Sequence, residues 1–487
     1  MTAPGNGPSV SPIATRLDWP CRPKPRSPCL MAPAPQSPRE LAHDVLLRGR
    51  DPQLIPTRLL DQQLSQSALS PSQRGQVTDL VHGVIRRQPT LDLILKQYIR
   101  RPLPQVEIGA LVWLRLAAWE LLFSAAPAYA VLNETAEAVK RQGHPQWTGF
   151  LNGVLRSLTR DLTDRQVFHP ATNALPTHSG NFQLLNSHPF PDPVTDPLGY
   201  FRDAFSFPEW LVARWIRRVE WPALQQLGFW FNTPPRPTLR VNTLLTNRDE
   251  FLAQLRQAGV AAEPGQHPDA IRLINSGRIT GLPGFEEGWF AVQDESAMEA
   301  ATRLAPQPGE RILDLCAAPG GKTLHLAALM QNRGQIIAAD SDERRLKQVA
   351  GSATRLRASI ITCEPIPADT SRLPKGPFDA VLLDVPCSNT GVLGKRPEVR
   401  WRLTPHDLVE LPQIQTRLLK AALKVVRPGG RILYSTCSIE PEENSQLIQG
   451  ALSRHRQLRL VEERQHWPGL PVDGGYQALL QVAPAGT

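Results

Sequence analysis

Two cysteines stand where catalysis would need them. Cys387, in Asp384-Val385-Pro386-Cys387-Ser388, and Cys437, in Tyr434-Ser435-Thr436-Cys437-Ser438, each follow an apolar run late in a 487-residue chain with only six cysteines. Both sit where a buried strand should end and a loop begin, and in an open parallel α/β sheet that edge is where ligands bind. A thiol there can act as a nucleophile, because thiolate chemistry needs partial exposure and a polar or electropositive setting. One cysteine at a strand end is more often small apolar filling. Two of them, with a ligand loop nearby, argue for chemistry.

That loop is Asp314-Leu315-Cys316-Ala317-Ala318-Pro319-Gly320-Gly321-Lys322-Thr323, between apolar Arg311-Ile312-Leu313 and a helical stretch from Leu324 to Leu329. Glycines at such a turn let backbone amides approach a ligand, and the following helix offers its positive end. The spacing matches neither G-x-G-x-x-G nor a Walker A loop, which disfavours a phosphate cradle. The next strand, Gln335 to Asp340, ends in a carboxylate 20 residues after Gly320, where a doubly wound domain usually binds a ribose. Asp369 and Asp384 close two further strands. Three acids at successive strand ends beside a Gly-Gly turn fit a nucleoside-type cofactor better than isolated helix caps.

These motifs, with Arg396-Pro397-Glu398-Val399-Arg400-Trp401 and Glu442-Glu443-Asn444-Ser445, resemble those of the Sun/RsmB family of S-adenosylmethionine-dependent RNA cytosine-C5 methyltransferases. The resemblance implies a multidomain chain: an N-terminal all-α NusB-like bundle, a small α/β RRM-like subdomain and a C-terminal α/β Rossmann-like methyltransferase domain. By the same resemblance Cys437 is the nucleophile that adds to the base, Cys387 assists release, and Asp384 contacts the base ring. Cys316, Ala317, Ala318, Pro319, Gly320, Gly321 and Lys322, with Asp340, Asp369 and Asp384, match positions that bind S-adenosylmethionine. The implied substrate is RNA, with 16S rRNA or a small-subunit precursor favoured over tRNA. The covalent route has a chemical reason: carbon 5 of cytosine becomes nucleophilic only after a thiolate adds at carbon 6. A different class of reading, a non-catalytic RNA-binding or antitermination protein, leaves the two cysteines, Asp384 and the complete Gly-Gly-Lys turn without purpose.

The elements that must position these residues follow from composition and periodicity. A formal charge of +9 and an isoelectric point near 9.5 suit a polyanionic partner. Scattered cysteines fit a reducing, cytoplasmic setting, and the absence of Cys/His zinc spacing predicts no metal. Residues 1–37, Pro- and Ser-rich, with Cys21, Cys29 and a possible alternative start at Met31, are expected to be a disordered extension. Residues 38–160 show three- and four-residue apolar steps, as in Leu80, Val84 and Ile85. They predict a helical bundle, with Gly153 at a tight helix contact and Ile108 to Ala125 as a buried helix and not a membrane span. Asp79 to Arg87, Ala130 to Glu134 and Phe150 to Arg156 resemble a NusB-like RNA-binding domain. Arg86, Arg87, Arg100 and Arg101 are its candidate RNA contacts, against the plainer reading of a solvated face.

Residues 161–206 show no sustained period and predict a linker or insertion. Residues 207–288 predict a small α/β subdomain that contacts RNA, with Leu239-Arg240-Val241-Asn242-Thr243 supporting the match and a helix capped by Thr246 with Asp249. Residues 289–487 alternate strands and helices and predict a mostly parallel, doubly wound sheet. The protein is expected to be monomeric.

Overall fold

A computed structural model describes residues 37–274, 278–469 and 472–484. The expectations for the first 36 residues, including Cys21, Cys29 and Met31, fall outside the described residues.

Six helices open the chain: Pro38–Arg48, Pro56–Gln66, Pro71–Lys96, Ile108–Phe123, Ala128–Arg141 and Thr148–Asp161. The first and third start in the same way. Ser37 and Ser70 each accept a hydrogen bond from the backbone of the residue three on, Glu40 and Gln73, whose side chains bond back, and a proline follows each cap. Such reciprocal capping satisfies two orphan amides at once. Ile108–Phe123 is buried on nearly all sides, and its charges are paired: Arg115 with Asp92 at 2.7 Å and Glu120 with Arg39 at 2.7 Å. Among the described residues no helix is long and apolar enough to cross a membrane. The tight helix contact falls at Gly83, where a Cβ would come within 2.1 Å of the Trp119 ring. Gly153, expected in that role, faces open space.

Residues 161–206 are not a linker. They form a three-stranded antiparallel sheet, β1 (Leu162–Val167), β2 (Ala174–Pro176) and β3 (Phe182–Leu185), in the order β1-β3-β2, followed by the helix Pro197–Phe205. Phe182, Phe190, Tyr200, Phe201 and Phe205 join one core with the helical bundle and with Leu211, Trp215 and Phe231 beyond it. β2 and β3, with three and four residues, are too short to display a period.

The small sheet holds β4 (Thr238–Val241), β5 (Ala262–Pro264), β6 (Ala270–Leu273) and β7 (Phe290–Val292) in the order β5-β6-β4-β7, all antiparallel. Its helix, Arg248–Gln257, is capped by Asn247, whose side chain accepts from Glu250, one residue later than the Thr246 expectation.

Seven strands make the large sheet: β8 (Arg311–Asp314), β9 (Gln335–Asp340), β10 (Ile361–Pro365), β11 (Phe378–Asp384), β12 (Val426–Thr436), β13 (Leu458–His466) and β14 (Gly475–Val482). The order is β10-β9-β8-β11-β12-β14-β13, with the first five parallel and the last two antiparallel. Alternate strand residues serve opposite faces. Leu313, Val381, Leu383, Ile432 and Tyr434 pack with Leu418, Leu419, Ala422 and Ile448. Ile312, Ala380, Leu382 and Leu433 pack with Ala300, Leu304, Leu324 and Ala327. Pairing of Asp384 with Ser435 and of Leu382 with Asp314 aligns the carboxyl ends, so the loops after β8, β11 and β12 leave from one edge.

Candidate active site

The loop after β8 is built on two acids. Thr323 Oγ1 donates to Asp314 Oδ2 at 2.7 Å, while Asp314 Oδ1 is buried without a partner among the described residues. Burial pushes the Asp314 carboxyl up to about 7. Asp340, ending β9, accepts from the Ala318 amide at 3.1 Å and from the Asp342 amide at 3.0 Å, and the Ala317 amide bonds Ala339 O at 3.0 Å. Arg345 donates to the Ala318 carbonyl. Gly320, with φ +103°, takes the left-handed turn that starts the helix Gly321–Leu329. An orphaned buried acceptor at the root of a glycine turn suits a ligand carrying N–H or O–H donors. Burial, first, and the nearby aspartates push the Cys316 thiol well up, which leaves it inert.

Lys322, on the first turn of that helix, reaches Asp384 Oδ2 at 2.7 Å. Burial alone would lower its ammonium, but the charge and hydrogen bond of Asp384 override it and the net shift is upward. The ion pair links the β8 loop to the end of β11.

The two cysteines meet. Cys387 Sγ and Cys437 Sγ lie 3.1 Å apart, both partly exposed, and the Cys437 amide donates to Cys387 Sγ at 3.3 Å. Asn389, at φ +60°, accepts from Cys437 Sγ at 3.2 Å and donates to Cys387 O at 2.8 Å. The hydrogen bond with Cys437, first, and burial push the Cys387 thiol well up, so it keeps its proton. The Gly391 amide bonds Cys437 O at 3.0 Å, and a Cβ at Gly391 would press on Gly474 O at 2.4 Å, so only glycine lets these segments touch.

The structure thus brings Cys316–Lys322, Asp340, Asp384, Cys387 and Cys437 to one edge. Asp369 stands exposed on the loop after β10, where its carboxylate accepts from the Ser371 amide at 2.9 Å and bonds neither cysteine. Two sequence expectations fail. Arg86 and Arg87 are 3% and 0% exposed, beyond the reach of any RNA. Arg86 donates to Gly394 O at 2.9 Å and Arg87 to Pro176 O at 3.0 Å, so both guanidinium groups dock elements together. Arg100 and Arg101 are exposed, the latter 4.8 Å above the Phe150 ring. The sequence reading gave no role to Ser388, Asn389, Thr390, Ser438 or Glu443. The serine that directly follows each cysteine was the available signal.

One cluster outside this edge has metal-ligand chemistry. His267, Asp269 and His325 bring donor atoms within 4.8 Å of one another. His267 spends both ring nitrogens, on the Asp269 amide at 3.2 Å and on Thr302 Oγ1 at 3.1 Å, which makes it a hydrogen-bonded pin between β6 and the helix Glu295–Leu304.

Comparison with known proteins decides the family. Residues 301–486 match the family described as 16S rRNA methyltransferase RsmB/F, residues 36–160 match the NusB family, and residues 207–280 match the RsmF/B-like ferredoxin-like domain. The ribosomal RNA small subunit methyltransferase B of Serratia proteamaculans is 34% identical over 411 residues, 83% of this chain and 88% of that protein. The chain belongs to the RsmB/F methyltransferase family. The Yersinia enterocolitica member of the same name is 35% identical over 82% of this chain and 86% of its own. The crystal structure of PH0851 superposes with a TM-score of 0.71 at 25% identity, covering 92% of this chain and 99% of that one. As an RsmB/F methyltransferase the chain combines a NusB-like helical region, a small sheet subdomain and a mixed-sheet methyltransferase domain.

Proposed function

We propose that the protein moves a methyl group from S-adenosylmethionine to carbon 5 of a cytosine in small-subunit ribosomal RNA, through a covalent bond between Cys437 and the base. The observation that carries this reading is the 3.1 Å approach of Cys387 and Cys437 beside the Lys322–Asp384 pair, at the edge that holds the Gly320-Gly321 turn.

Residues Cys316–Lys322, Asp340, Asp369 and Asp384 would hold the cofactor, whose sulfonium supplies an electrophilic methyl group. The orphaned Asp314 Oδ1 fits a cofactor that bears an ammonium or hydroxyl donor. Cys437 adds to carbon 6 of the ring, which passes electron density to carbon 5. Asp384, half-exposed and anchored by Lys322, stands where it can hydrogen-bond the base and favour its electrophilic form. In the later step solvent takes the carbon 5 proton, the electrons of that bond restore the ring double bond, and the carbon–sulfur bond breaks toward Cys437; Cys387, holding its proton 3.1 Å away, is placed to give it to the departing sulfur. Because both cysteines are only partly exposed at this loop edge, the target cytosine must leave its stack, which favours a loop or hairpin tip. Arg100 and Arg101 are the remaining RNA contacts proposed for the helical region.

Labelled methyl transfer to unmodified small-subunit rRNA, with bisulfite sequencing of the product, tests the reading. A single protected cytosine is expected. Cys437→Ala should retain cofactor binding and lose transfer; full activity of that variant would remove the nucleophile assignment.

A further inference from the structure

Glu443 lies six residues beyond Cys437, is fully buried, and touches neither sulfur. Its two carboxylate oxygens receive four donors. Oε1 accepts from the Ser388 amide at 2.8 Å and from Gln415 Nε2 at 2.9 Å. Oε2 accepts from Ser438 Oγ at 2.5 Å and from the Ser388 hydroxyl. Ser388 directly follows Cys387 and Ser438 directly follows Cys437, so one carboxylate holds the residue next to each thiol. The surroundings brace it further: Tyr434 Oη donates to Glu443 O at 2.7 Å, and Gln415 Nε2 also donates to Pro386 O at 3.0 Å, one residue before Cys387.

The neighbouring acid shows by contrast what this one does. Glu440 is equally buried but is neutralised by Arg214 at 2.6 Å and Arg218 at 2.7 Å. Glu443 has no lysine or arginine partner among the described residues; only neutral donors face it. Burial, the larger effect, pushes the Glu443 carboxyl up, and the hydrogen bonds from Ser388, Ser438 and Gln415 work against it. In its ionised form Glu443 adds to what keeps the Cys387 thiol protonated, after the hydrogen bond to Cys437, burial and the electrostatic effect of Cys437.

We propose that Glu443 is the positioning residue for both cysteines, clamping Ser388 to Ser438 so that the two sulfurs hold their 3.1 Å separation and Cys387 stays a thiol while Cys437 reacts. This rests on the roles assigned above to Cys437 and Cys387, but its test does not require turnover. An amide in its place removes the negative charge and keeps one acceptor oxygen instead of two, so the hydroxyls of Ser388 and Ser438 must reverse their roles to meet its NH₂ group.

The test is formation of the Cys387–Cys437 disulfide in the full-length protein with diamide, which takes up the two thiol hydrogens and leaves an S–S bond. The wild type is expected to close rapidly. Glu443→Gln is expected to close at least tenfold more slowly and to alkylate Cys387 with iodoacetamide at lower pH than the wild type. It should also lose at least tenfold in kcat with KM for S-adenosylmethionine unchanged. Ser438→Ala, which removes one strut only, should slow disulfide closure to an intermediate degree and serves alone if Glu443→Gln does not fold. A folded Glu443→Gln with wild-type closure rate and wild-type Cys387 alkylation, or Ser438→Ala with unchanged closure, would overturn the assignment. An active Cys437→Ala would instead sink the nucleophile reading and leave these rates as they are.

Discussion

Lys322 and Asp384 form a 2.7 Å ion pair that joins the first turn of the helix after β8 to the last residue of β11. The pair spans the two loops that a methyl donor and an acceptor base would share. Lys322→Met is therefore expected to leave the fold intact and to lower turnover by about 10²-fold, the usual effect of removing one preorganised charged donor. Initial rates at saturating S-adenosylmethionine, with cofactor affinity measured separately, check this. Turnover within twofold of wild type would show that Asp384 needs no partner.

The Cys387 thiol is pushed well up, first by the hydrogen bond with Cys437 and then by burial. A thiol that keeps its proton can give it to the departing Cys437 sulfur and is unsuited to attack. Cys387→Ala should accumulate a protein–RNA adduct, visible as a band of reduced mobility on a denaturing gel, and Cys437→Ala should not. Rapid turnover of Cys387→Ala without an adduct would contradict the division of labour.

The strand-end edge was legible in the sequence because its signals are local. An apolar run ending in Asp, as before Cys387, or in Ser-Thr, as before Cys437, marks a strand and its exit within about ten residues. Glu443 was not legible as a clamp, since Ser388 lies 55 residues away and only the sheet register brings the two together. Arg86 and Arg87 misled for a related reason. Arginine is mostly a surface residue, and nothing in a helix sequence announces that backbone carbonyls 89 and 308 residues on will accept its hydrogen bonds. The sheet within residues 161–206 was hidden because three- and four-residue strands have no period to read.

Arg400 is the partner in that docking. Fully buried, it donates to Phe231 O at 2.6 Å, Asn232 Oδ1 at 2.9 Å, Ser206 O at 3.2 Å and Arg86 O at 3.3 Å, and its guanidinium lies 4.2 Å above the Phe207 ring. It thereby ties the segment that follows Cys387 to the helical core. Arg400→Lys keeps the charge and loses the planar fork, leaving several buried carbonyls unpaired at a cost of about 1–3 kcal/mol for each group not rescued. A drop of about 2–4 kcal/mol in urea-unfolding free energy is expected, with a slower Cys387–Cys437 disulfide closure. A change below about 0.5 kcal/mol would mean that the fork is dispensable.

His325, 1% exposed on the helix after the glycine turn, has no hydrogen-bond partner for either ring nitrogen among the described residues and meets Asp269 at 3.5 Å. Burial, with the nearby Arg240 guanidinium, lowers its pKa to about 3 from an ordinary 6.5. Between those values the unfolded chain binds a proton that the folded chain refuses, so the unfolded state holds more protons and stability rises with pH. The contribution is fully present above pH 6.5 and is lost as pH falls toward 3. For one such histidine the slope approaches about 1.4 kcal/mol per pH unit between pH 6 and 4. Asp314, raised to about 7, works in the opposite direction over part of this range, so the prediction concerns a difference between two proteins. His325→Gln should remove this slope from the wild-type profile, making the variant relatively more stable at pH 4.5 than at pH 7.5. Urea unfolding of both proteins at those two pH values measures it, and parallel profiles would show that His325 charges freely in the folded state.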